Sequence, residues 1–346
     1  MRWRWSDPGP STGSTISLSA LPLRLGSSGT AVQDLQRRLI ARGHTTEDPR
    51  GDYGESTAAC VQAFQSQCGL VPDGVCDIQT WSALIEAAFQ LGGRLLCLRT
   101  PMMRGDDVAE LQLRLGALGF DAGRVDGIFG PLTQHAVAEF QRNAGLVSDS
   151  VCGDDTVAGL RRLQGRGGSA TLTAVRERER LRTAVRTLGE LRVAVGGDAG
   201  PVAAALVARI SAILQHADVD VLLTGGDWSA QAAAANSFAA DLYVGITVCE
   251  DTAVEVAYFG VDGFESLGGR QLAETIVNEL PAAPGWATGT AQPMRLPILR
   301  ETRAPAVLVR LGDESHVESN DDLVVTSMLR ALERWPEVAS TSTLDH

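Results

Sequence analysis

The apolar positions in the first half of the chain recur every three or four residues, which is the spacing of one face of an α-helix. The run from Thr30 to Arg42 shows the pattern, with Val32, Leu35 and Leu39 at positions i, i+3 and i+7. A glycine follows directly, and glycine commonly ends a helix because it adopts a positive φ without strain. The pattern therefore predicts a succession of short amphipathic helices.

This half is also an internal duplication. Gly29 is matched by Gly105, 76 residues later (105 − 29), and the register continues without a gap through three predicted helices. An ungapped match over that distance indicates two tandem modules. The helices are predicted at 30–42, from Thr57 onward and at 80–87 in the first copy, and at 106–118, from Thr133 onward and at 156–163 in the second.

The second half changes to short β-branched runs that alternate with longer helical patterns. Runs that are apolar at successive residues are typical of strands buried on both faces of a sheet. Their alternation with helices predicts a largely parallel sheet covered on both sides. Strands are predicted at residues 191–195, 219–223, 242–248, 254–259 and 306–311, and helices at 202–216, 229–238, 270–280 and 321–335.

The predicted fold class is therefore multidomain, with two all-α modules of three helices each, followed by an α/β domain with a mainly parallel sheet. A Gly-rich stretch at 164–169 and a helix dense in alternating charge separate the two halves. The predicted organisation is a flexible N-terminal lead at 1–22, modules at 23–90 and 98–164, a linker with the charged helix at 165–189, the α/β domain at 190–337 and a flexible tail at 338–346.

Composition narrows the possible functions. The chain has 346 residues, 44% of them hydrophobic, and a formal net charge of −12, as expected of a globular protein with proper cores. The acidic balance argues against nucleic acid or an anionic membrane as the main partner. No run approaches the roughly 20 apolar residues that span a bilayer. We therefore expect no nucleic-acid partner and no membrane span.

The N-terminal 26 residues bear on the compartment. They carry arginines but no continuous apolar core, and Pro8, Gly9 and Pro10 interrupt the place where a signal peptide needs its hydrophobic helix. Six cysteines without such a signal favour reduced thiols over a disulfide framework. We therefore expect a cytoplasmic protein, unless the true start codon lies elsewhere.

The duplicated half resembles the peptidoglycan-binding module of wall hydrolases. That family's pattern includes G-x-x-V-x-x-L-Q-x-x-L, then D-G-x-F-G-x-x-T and F-Q, and the second copy matches it best through Val125-Asp126-Gly127-Ile128-Phe129-Gly130. Most of the matching residues are expected to form helix cores and caps. The resemblance implies peptidoglycan or its precursors as the ligand, and the residues expected to contact it are Tyr53, Thr57, Phe129 and Thr133.

The second half resembles the zinc-dependent N-acetylmuramoyl-L-alanine amidases, but its site differs from theirs. The segment Pro305-Ala306-Val307-Leu308-Val309-Arg310-Leu311-Gly312 is similar to the family's closing strand, in which a glutamate is the general acid/base. Arg310 stands at that position. The family's histidine ligands fall at Ala199, or Asp198 beside it, and at Thr247, and the loop with the glutamate ligand is missing. Catalytic zinc takes about three protein ligands, so we expect no metal, no cofactor and no catalytic residue.

Two roles are open for Arg310. A lone arginine in an apolar strand is costly unless it meets an acid or faces a cleft. It could form a salt bridge with Asp198, Glu250 or Glu314 in the former metal pocket. Alternatively, its guanidinium could bind a carboxylate or phosphate of a wall precursor, because such groups accept two hydrogen bonds from it at once.

The order of the parts resembles the actinobacterial CwlM-like group, which has two modules, a charged helix and an amidase-like domain. The resemblance implies a non-catalytic pseudo-amidase that regulates or scaffolds peptidoglycan synthesis through protein partners. The alternatives are an exported, wall-binding structural protein and, less favoured, a working amidase. The hydroxyl-rich tail Ser340-Thr341-Ser342-Thr343 is either a phosphorylation site or simply disordered.

Overall fold

The computed structural model describes residues 20–163, 187–249, 254–261, 263–280 and 289–341, with side chains up to residue 338. These residues form two compact units that divide between Ala88 and Phe89. The first module makes up the first unit, and the second module and the α/β domain make up the second. Three predicted segments lie outside the described residues: the lead up to residue 19, the linker with the charged helix up to residue 186, and the end of the tail.

The first unit is the predicted three-helix module. Helix α1 spans Thr30–Ala41, α2 spans Glu55–Gln67 and α3 spans Ile78–Glu86. Their apolar faces meet in one buried core, because a spacing of three or four residues places apolar side chains on one side of each helix. The core includes Val32, Leu35, Leu39, Val61, Phe64, Trp81 and Leu84.

The second module repeats this arrangement within the second unit. Helix α4 spans Asp106–Ala117, α5 spans Pro131–Asn143 and α6 spans Asp154–Arg162. Its core uses corresponding positions, with Phe140 in the place that Phe64 takes in the first module and Val157 in the place of Trp81. The prediction of two all-α modules of three helices each is confirmed.

A cysteine at the same repeat position is buried in each module. Cys76 forms a backbone bridge with Leu23, and Cys152 forms the matching bridge with Leu96. Burial raises the pKa of both thiols to about 12, so at neutral pH each is a small, protonated, apolar side chain. All six cysteines of the chain lie within the described residues, and none of them forms a disulfide there.

Buried glutamines recur at the repeat shift and hold the turns of each module. Gln65 Oε1 accepts from the Gly74 N–H at 2.9 Å, and Gln65 Nε2 lies 2.8 Å from Asp73 Oδ1 and 3.0 Å from Thr80 Oγ1. Gln141 makes the matching contacts in the second module. A buried side chain that satisfies both backbone and side-chain groups fixes the turn between the second and third helices.

The α/β domain is built on a mixed sheet. Its strands are β1 Arg192–Gly197, β2 Asp220–Leu223, β3 Leu242–Cys249, β4 Glu255–Val261, β5 Phe264–Glu265, β6 Thr290–Met294 and β7 Ala306–Gly312. The order across the sheet is β2-β1-β3-β7-β4, with β5 and β6 both paired to β4. The pairs β2-β1, β1-β3, β3-β7 and β4-β6 are parallel, and β4 runs antiparallel to β7 and β5. The five predicted strands and the mainly parallel sheet are confirmed.

Two strands of this sheet were not predicted. β6 carries Pro293 and is largely exposed, and β5 has only two residues. Neither has the apolar, β-branched pattern that marks a buried strand. Both pair with β4, so they extend the sheet beyond the strands that the sequence pattern identified.

Helices cover both faces of the sheet. They are α7 Pro201–His216, α8 Trp228–Ser237, α9 Leu267–Glu279, α10 Pro297–Glu301, α11 Glu314–Ser319 and α12 Asp321–Thr341. Apolar side chains of α7, α9 and α12 pack on one face together with those of β1, β3, β4 and β7, and α8 and α10 lie on the other face. In the part of the chain that the structure describes, no helix has the length and apolar character needed to cross a membrane.

The predicted start of the flexible tail at residue 338 is wrong. Helix α12 passes through Pro336 and continues to Thr341. A proline inside a helix removes one backbone hydrogen bond and can bend the helix, but it does not oblige the helix to stop. The residues after 341 lie outside the described part.

We predict that Gln65→Ala lowers the stability of the first module by about 3 kcal/mol, because it leaves several buried polar groups without a hydrogen bond. Hydrogen exchange of the α2 and α3 amides in the full chain measures this change. The control is Gln62→Ala, which alters an exposed glutamine on the same helix and should change the stability by less than about 0.5 kcal/mol. Equal effects of the two substitutions would contradict the structural role of Gln65.

Candidate functional site

Four polar side chains form a row across neighbouring strands at one end of the sheet. Arg310 of β7 is in register with Thr247 of β3 on one side and with Glu255 of β4 on the other. Asp198 follows β1, and its N–H donates to the Ile246 carbonyl at 3.2 Å, which brings it beside Thr247. We call Asp198, Thr247, Arg310 and Glu255 the polar row. It lies at the carboxyl ends of the parallel strands, where open α/β sheets bind their ligands.

Arg310 and Glu255 form an ion pair in the interior. Nη1 of Arg310 contacts Oε2 of Glu255, and the two side chains are 8% and 28% exposed. A cation removed from water needs an opposite charge, because desolvation costs several kcal/mol. The structure therefore supplies an acidic partner, but not one of those proposed from the sequence. Asp198 bonds to Gly200 and Thr247 instead, Glu314 lies in the first turn of the helix after β7, and Glu250 lies outside the described residues.

The carboxylate of Asp198 is occupied by the protein itself. Its Oδ1 accepts from the Gly200 N–H at 2.9 Å, immediately before α7. Its Oδ2 accepts from the Thr247 hydroxyl and from the Val248 N–H at 3.3 Å. Both oxygens are therefore used to order the turn between β1 and α7.

A second polar network lies on the same face of the sheet. Gln231 Oε1 accepts from the Tyr243 hydroxyl at 2.8 Å and from the Thr224 hydroxyl at 3.1 Å, and its Nε2 donates to the Gly197 carbonyl at 2.9 Å. Gly196 is needed there, because a Cβ would lie 2.2 Å from Gln231 Oε1 and from Thr224 Oγ1. Burial raises the pKa of the Tyr243 phenol, so this group is a neutral donor at physiological pH.

Glu255 and Gln231 were not among the predicted site residues. Glu255 is an acid that begins an apolar strand, and Arg310 is a cation near the end of another. Opposite charges in two such strands suggest a cross-strand pair, but only once β4 is known to lie antiparallel beside β7. Gln231 gave no signal, because a polar residue on the first turn of a helix is ordinarily exposed.

The polar row does not fit a zinc ion. Ala199 has no donor atom, the Thr247 hydroxyl is bonded to Asp198, and the Arg310 guanidinium would repel a cation. A catalytic zinc needs about three nitrogen, oxygen or sulfur ligands that converge on one point. Within the described residues, no three His, Cys, Asp or Glu side chains are grouped to hold a metal.

The structure corrects the four ligand-contacting residues that we predicted in the modules. Tyr53 is 2% exposed, Thr57 and Phe129 are 0% exposed and Thr133 is 1% exposed. The Tyr53 hydroxyl donates to the Gly74 carbonyl at 2.7 Å, and burial raises the pKa of this phenol. These side chains have no surface to offer a ligand, because they fill the cores of their modules.

The two threonines have one structural role in common. Gln36 Nε2 lies 3.3 Å from Thr57 Oγ1, and Gln112 Nε2 lies 3.2 Å from Thr133 Oγ1. Each glutamine also accepts a backbone N–H, at 2.8 Å, from the loop that precedes the second helix. The Gly-x-x-Thr signal of the sequence thus marks a buried support for that loop.

Comparison with known families agrees with the repeat. Residues 28–84 and 104–160 match the family model described as a peptidoglycan binding domain. The two matches begin 76 residues apart (104 − 28), which is the repeat shift. The identification of tandem peptidoglycan-binding modules is confirmed.

A relative that spans most of the chain decides the family. The N-acetylmuramoyl-L-alanine amidase CwlM of Mycobacterium tuberculosis is 32% identical, and the match covers 90% of this chain and 86% of that protein. The chain belongs to the CwlM family. The predicted resemblance to the CwlM-like group is therefore confirmed.

Other members of the wall amidases match parts of this CwlM-family chain. CwlL, an N-acetylmuramoyl-L-alanine amidase of Bacillus licheniformis, is 32% identical over 44% of this chain and 49% of its own length. Among solved structures, the amidase AmiC2 of Nostoc punctiforme aligns with 43% of this chain and 98% of its own, at a TM-score of 0.36 and 19% identity.

In this member of the CwlM family, we predict that Glu255→Ala lowers the free energy of unfolding of the second unit by about 2 kcal/mol, because the buried Arg310 charge loses its partner. Urea unfolding of the full chain measures the loss. Combining Glu255→Ala with Arg310→Met should recover most of it, because an apolar side chain then replaces the cation.

Glu274→Ala is the matched control for this substitution. Glu274 pairs with Arg270 on the surface, where the side chains are 50% and 53% exposed, and its loss should cost less than about 1 kcal/mol. The buried pair would lose its assigned importance if Glu255→Ala cost no more than Glu274→Ala.

Proposed function

We propose that the protein binds peptidoglycan or its precursors without cleaving them, and that it regulates or scaffolds cell-wall synthesis through protein partners. The observation that carries this proposal is Arg310, a buried cation where the resemblance to zinc amidases places the catalytic glutamate. The two matched modules support peptidoglycan as the ligand.

The chemistry of the polar row supports a role without hydrolysis. Cleaving an amide requires a group that accepts a proton from the attacking water. The side chain of Arg310 is a guanidinium, which donates hydrogen bonds and has no acceptor atom. The carboxylates of the row are engaged, Asp198 by Thr247 and backbone N–H groups and Glu255 by Arg310. No group in the row is therefore left as a base.

We further propose that this role is performed in the cytoplasm. None of the six cysteines, all of which the structure describes, forms a disulfide, and two of them are buried in the cores of the modules, which suits a reducing compartment. A binding protein that catalyses no reaction affects a pathway by contacting other proteins. The proposal therefore includes protein partners that act in cell-wall synthesis.

We predict that the full chain, supplied with zinc, releases no stem peptide from purified muropeptides, because the polar row offers neither the ligands nor the base for hydrolysis. Mass spectrometry of the soluble products measures the release. An active N-acetylmuramoyl-L-alanine amidase assayed on the same muropeptides is the control for the substrate. Zinc-dependent release of stem peptide by this chain would refute the non-catalytic assignment.

We also propose that Arg310 contacts an anionic group of the ligand. Among the described residues, Glu255 engages the guanidinium through Nη1, and an arginine fork carries five donors in a fixed geometry. A carboxylate of the stem peptide or a phosphate of a precursor could bind the other side of the fork. This contact would place the ligand at the carboxyl ends of the strands.

The substitution Arg310→Lys tests that contact, because lysine keeps the charge and loses the planar fork. We predict about a tenfold weaker affinity for a nucleotide-sugar precursor that carries the stem peptide, equivalent to about 1.4 kcal/mol. Calorimetric titration measures it. Arg209→Lys, which alters an exposed arginine paired with Asp321 and Asp322, should leave the affinity unchanged. Unaltered binding by Arg310→Lys would exclude the contact.

A further inference from the structure

Two ion pairs join the second module to the α/β domain; the module supplies the cation of one pair and the anion of the other. Arg104 Nη1 of the module lies 2.7 Å from Glu301 Oε1 of the domain. Asp106 Oδ1 of the module lies 2.6 Å from Arg295 Nη2 of the domain. Glu301 and Arg295 are only 16% and 15% exposed. A cation and an anion on each surface fix the relative orientation of the two parts, because only one alignment satisfies both pairs.

Arg124 adds a contact to the backbone of the domain. Its guanidinium donates to the Thr302 carbonyl and, at 3.4 Å, to the Leu299 carbonyl, and it lies 4.8 Å from the ring centre of Phe259. Both carbonyls are at the C-terminal end of α10, where a helix leaves its carbonyls without internal partners. The second module therefore supplies donors that the domain needs.

The attachment covers the loop that precedes the second helix of the module. None of the residues 121–130 is exposed in the folded chain. At the matching positions of the first module, residues 45–54, five are exposed: Thr45, Glu47, Pro49, Arg50 and Asp52. We call these two segments the module loops. They have the same length and are anchored by matching glutamines, so the difference in exposure comes from their surroundings and side chains.

The first module lacks the side chains that make this attachment. At the repeat shift of 76, Arg104, Asp106 and Arg124 are matched by Ser28, Thr30 and Asp48. Asp48 has the opposite charge to Arg124, and it accepts from the Gly54 and Thr57 N–H groups of its own module. The first module could not replace the second on the domain without burying an acid against carbonyl oxygens.

The attachment lies away from the polar row. Phe259, beneath Arg124, lies four residues along β4 from Glu255, a separation of about 13 Å in an extended strand. Phe259 and Glu255 are at opposite ends of the β4–β6 pairing, where they face Met294 and Thr290. The second module therefore docks at the end of β4 that is remote from the row.

We propose that the two modules have divided their tasks: the second is a fixed part of the α/β domain, and the first alone presents its module loop to peptidoglycan or its precursors. The assignment of the ligand rests on the proposed function, whereas the docking rests on the contacts of Arg104, Asp106 and Arg124. The module loop at 121–130 contains the segment most typical of the family, and it is the loop that the domain covers.

The first module loop has the properties that a binding surface requires. Gln36 holds it from below, with Nε2 3.0 Å from the Asp52 carbonyl and Oε1 accepting from the Gly51 N–H at 2.8 Å. The loop is thereby ordered before a ligand arrives, which reduces the entropy lost on binding. Arg50 and Asp52 are exposed on it, and a stem peptide carries charges of both signs.

Hydrogen exchange of the full chain tests the docking. Amides of residues 121–130 should exchange at least about tenfold more slowly than those of 45–54 after correction for intrinsic rates. Glu301→Arg should accelerate exchange at 121–130 about tenfold and leave 45–54 unchanged. The charge swap Arg104→Glu with Glu301→Arg should slow it again. Unchanged exchange at 121–130 in both variants would overturn the docking, and recovery in the swap shows that the single variant acts through the lost ion pair and not through unfolding.

Sedimentation of the full chain with purified peptidoglycan sacculi tests the assignment of the ligand. The variant with Arg50→Ala and Asp52→Ala should bind about tenfold more weakly, and Glu301→Arg should bind at least as well as the natural chain. Full binding by the first variant would overturn the role of the first module. Failure of the natural chain to sediment with sacculi would instead remove the proposed ligand, while the exchange experiment still decides the docking.

Discussion

The buried charge of Arg310 requires an acidic partner, and this requirement determines how the side chains at the end of the sheet are arranged. A guanidinium cannot lose its proton and cannot remain in a strand interior without an acid. The antiparallel strand β4 meets the condition by placing Glu255 directly opposite Arg310. Asp198 and Thr247 then satisfy each other on the far side of β7. The side chains of the row are thereby paired with one another.

The same requirement, that a buried polar group must find a partner, shapes the rest of the molecule. In both modules it is met by glutamines, which tie loops and turns to the helices. Between the second module and the α/β domain it is met by Arg124, which bonds carbonyls at the end of α10. A duplicated module can therefore acquire a new task through a few surface charges while its internal bonds stay unchanged.

Much of the fold was predictable because its elements follow local patterns. The helices begin and end near glycines and carry apolar residues at helical spacing, and the five predicted strands are apolar runs. β6 was not predicted, because it contains Pro293 and is largely exposed, and therefore lacks the pattern of a buried strand. At the site, Arg310 was identified because burying a charged side chain in an apolar strand costs free energy. Its pairing with Glu255 could not be predicted, because it depends on the order of the strands in the sheet, and no local sequence pattern specifies that order. Tyr53 and Phe129 were misassigned because an aromatic residue in a loop can face either ligand or core.

A zinc-edge anomalous difference map, from a crystal of the full chain grown with excess zinc, would show whether the polar row holds a metal ion. We expect no peak beside Asp198, Thr247 or Arg310, with the Arg310 and Glu255 side chains still in contact. A peak at the polar row, with Arg310 turned away from Glu255 and protein side chains ligating the ion, would contradict it.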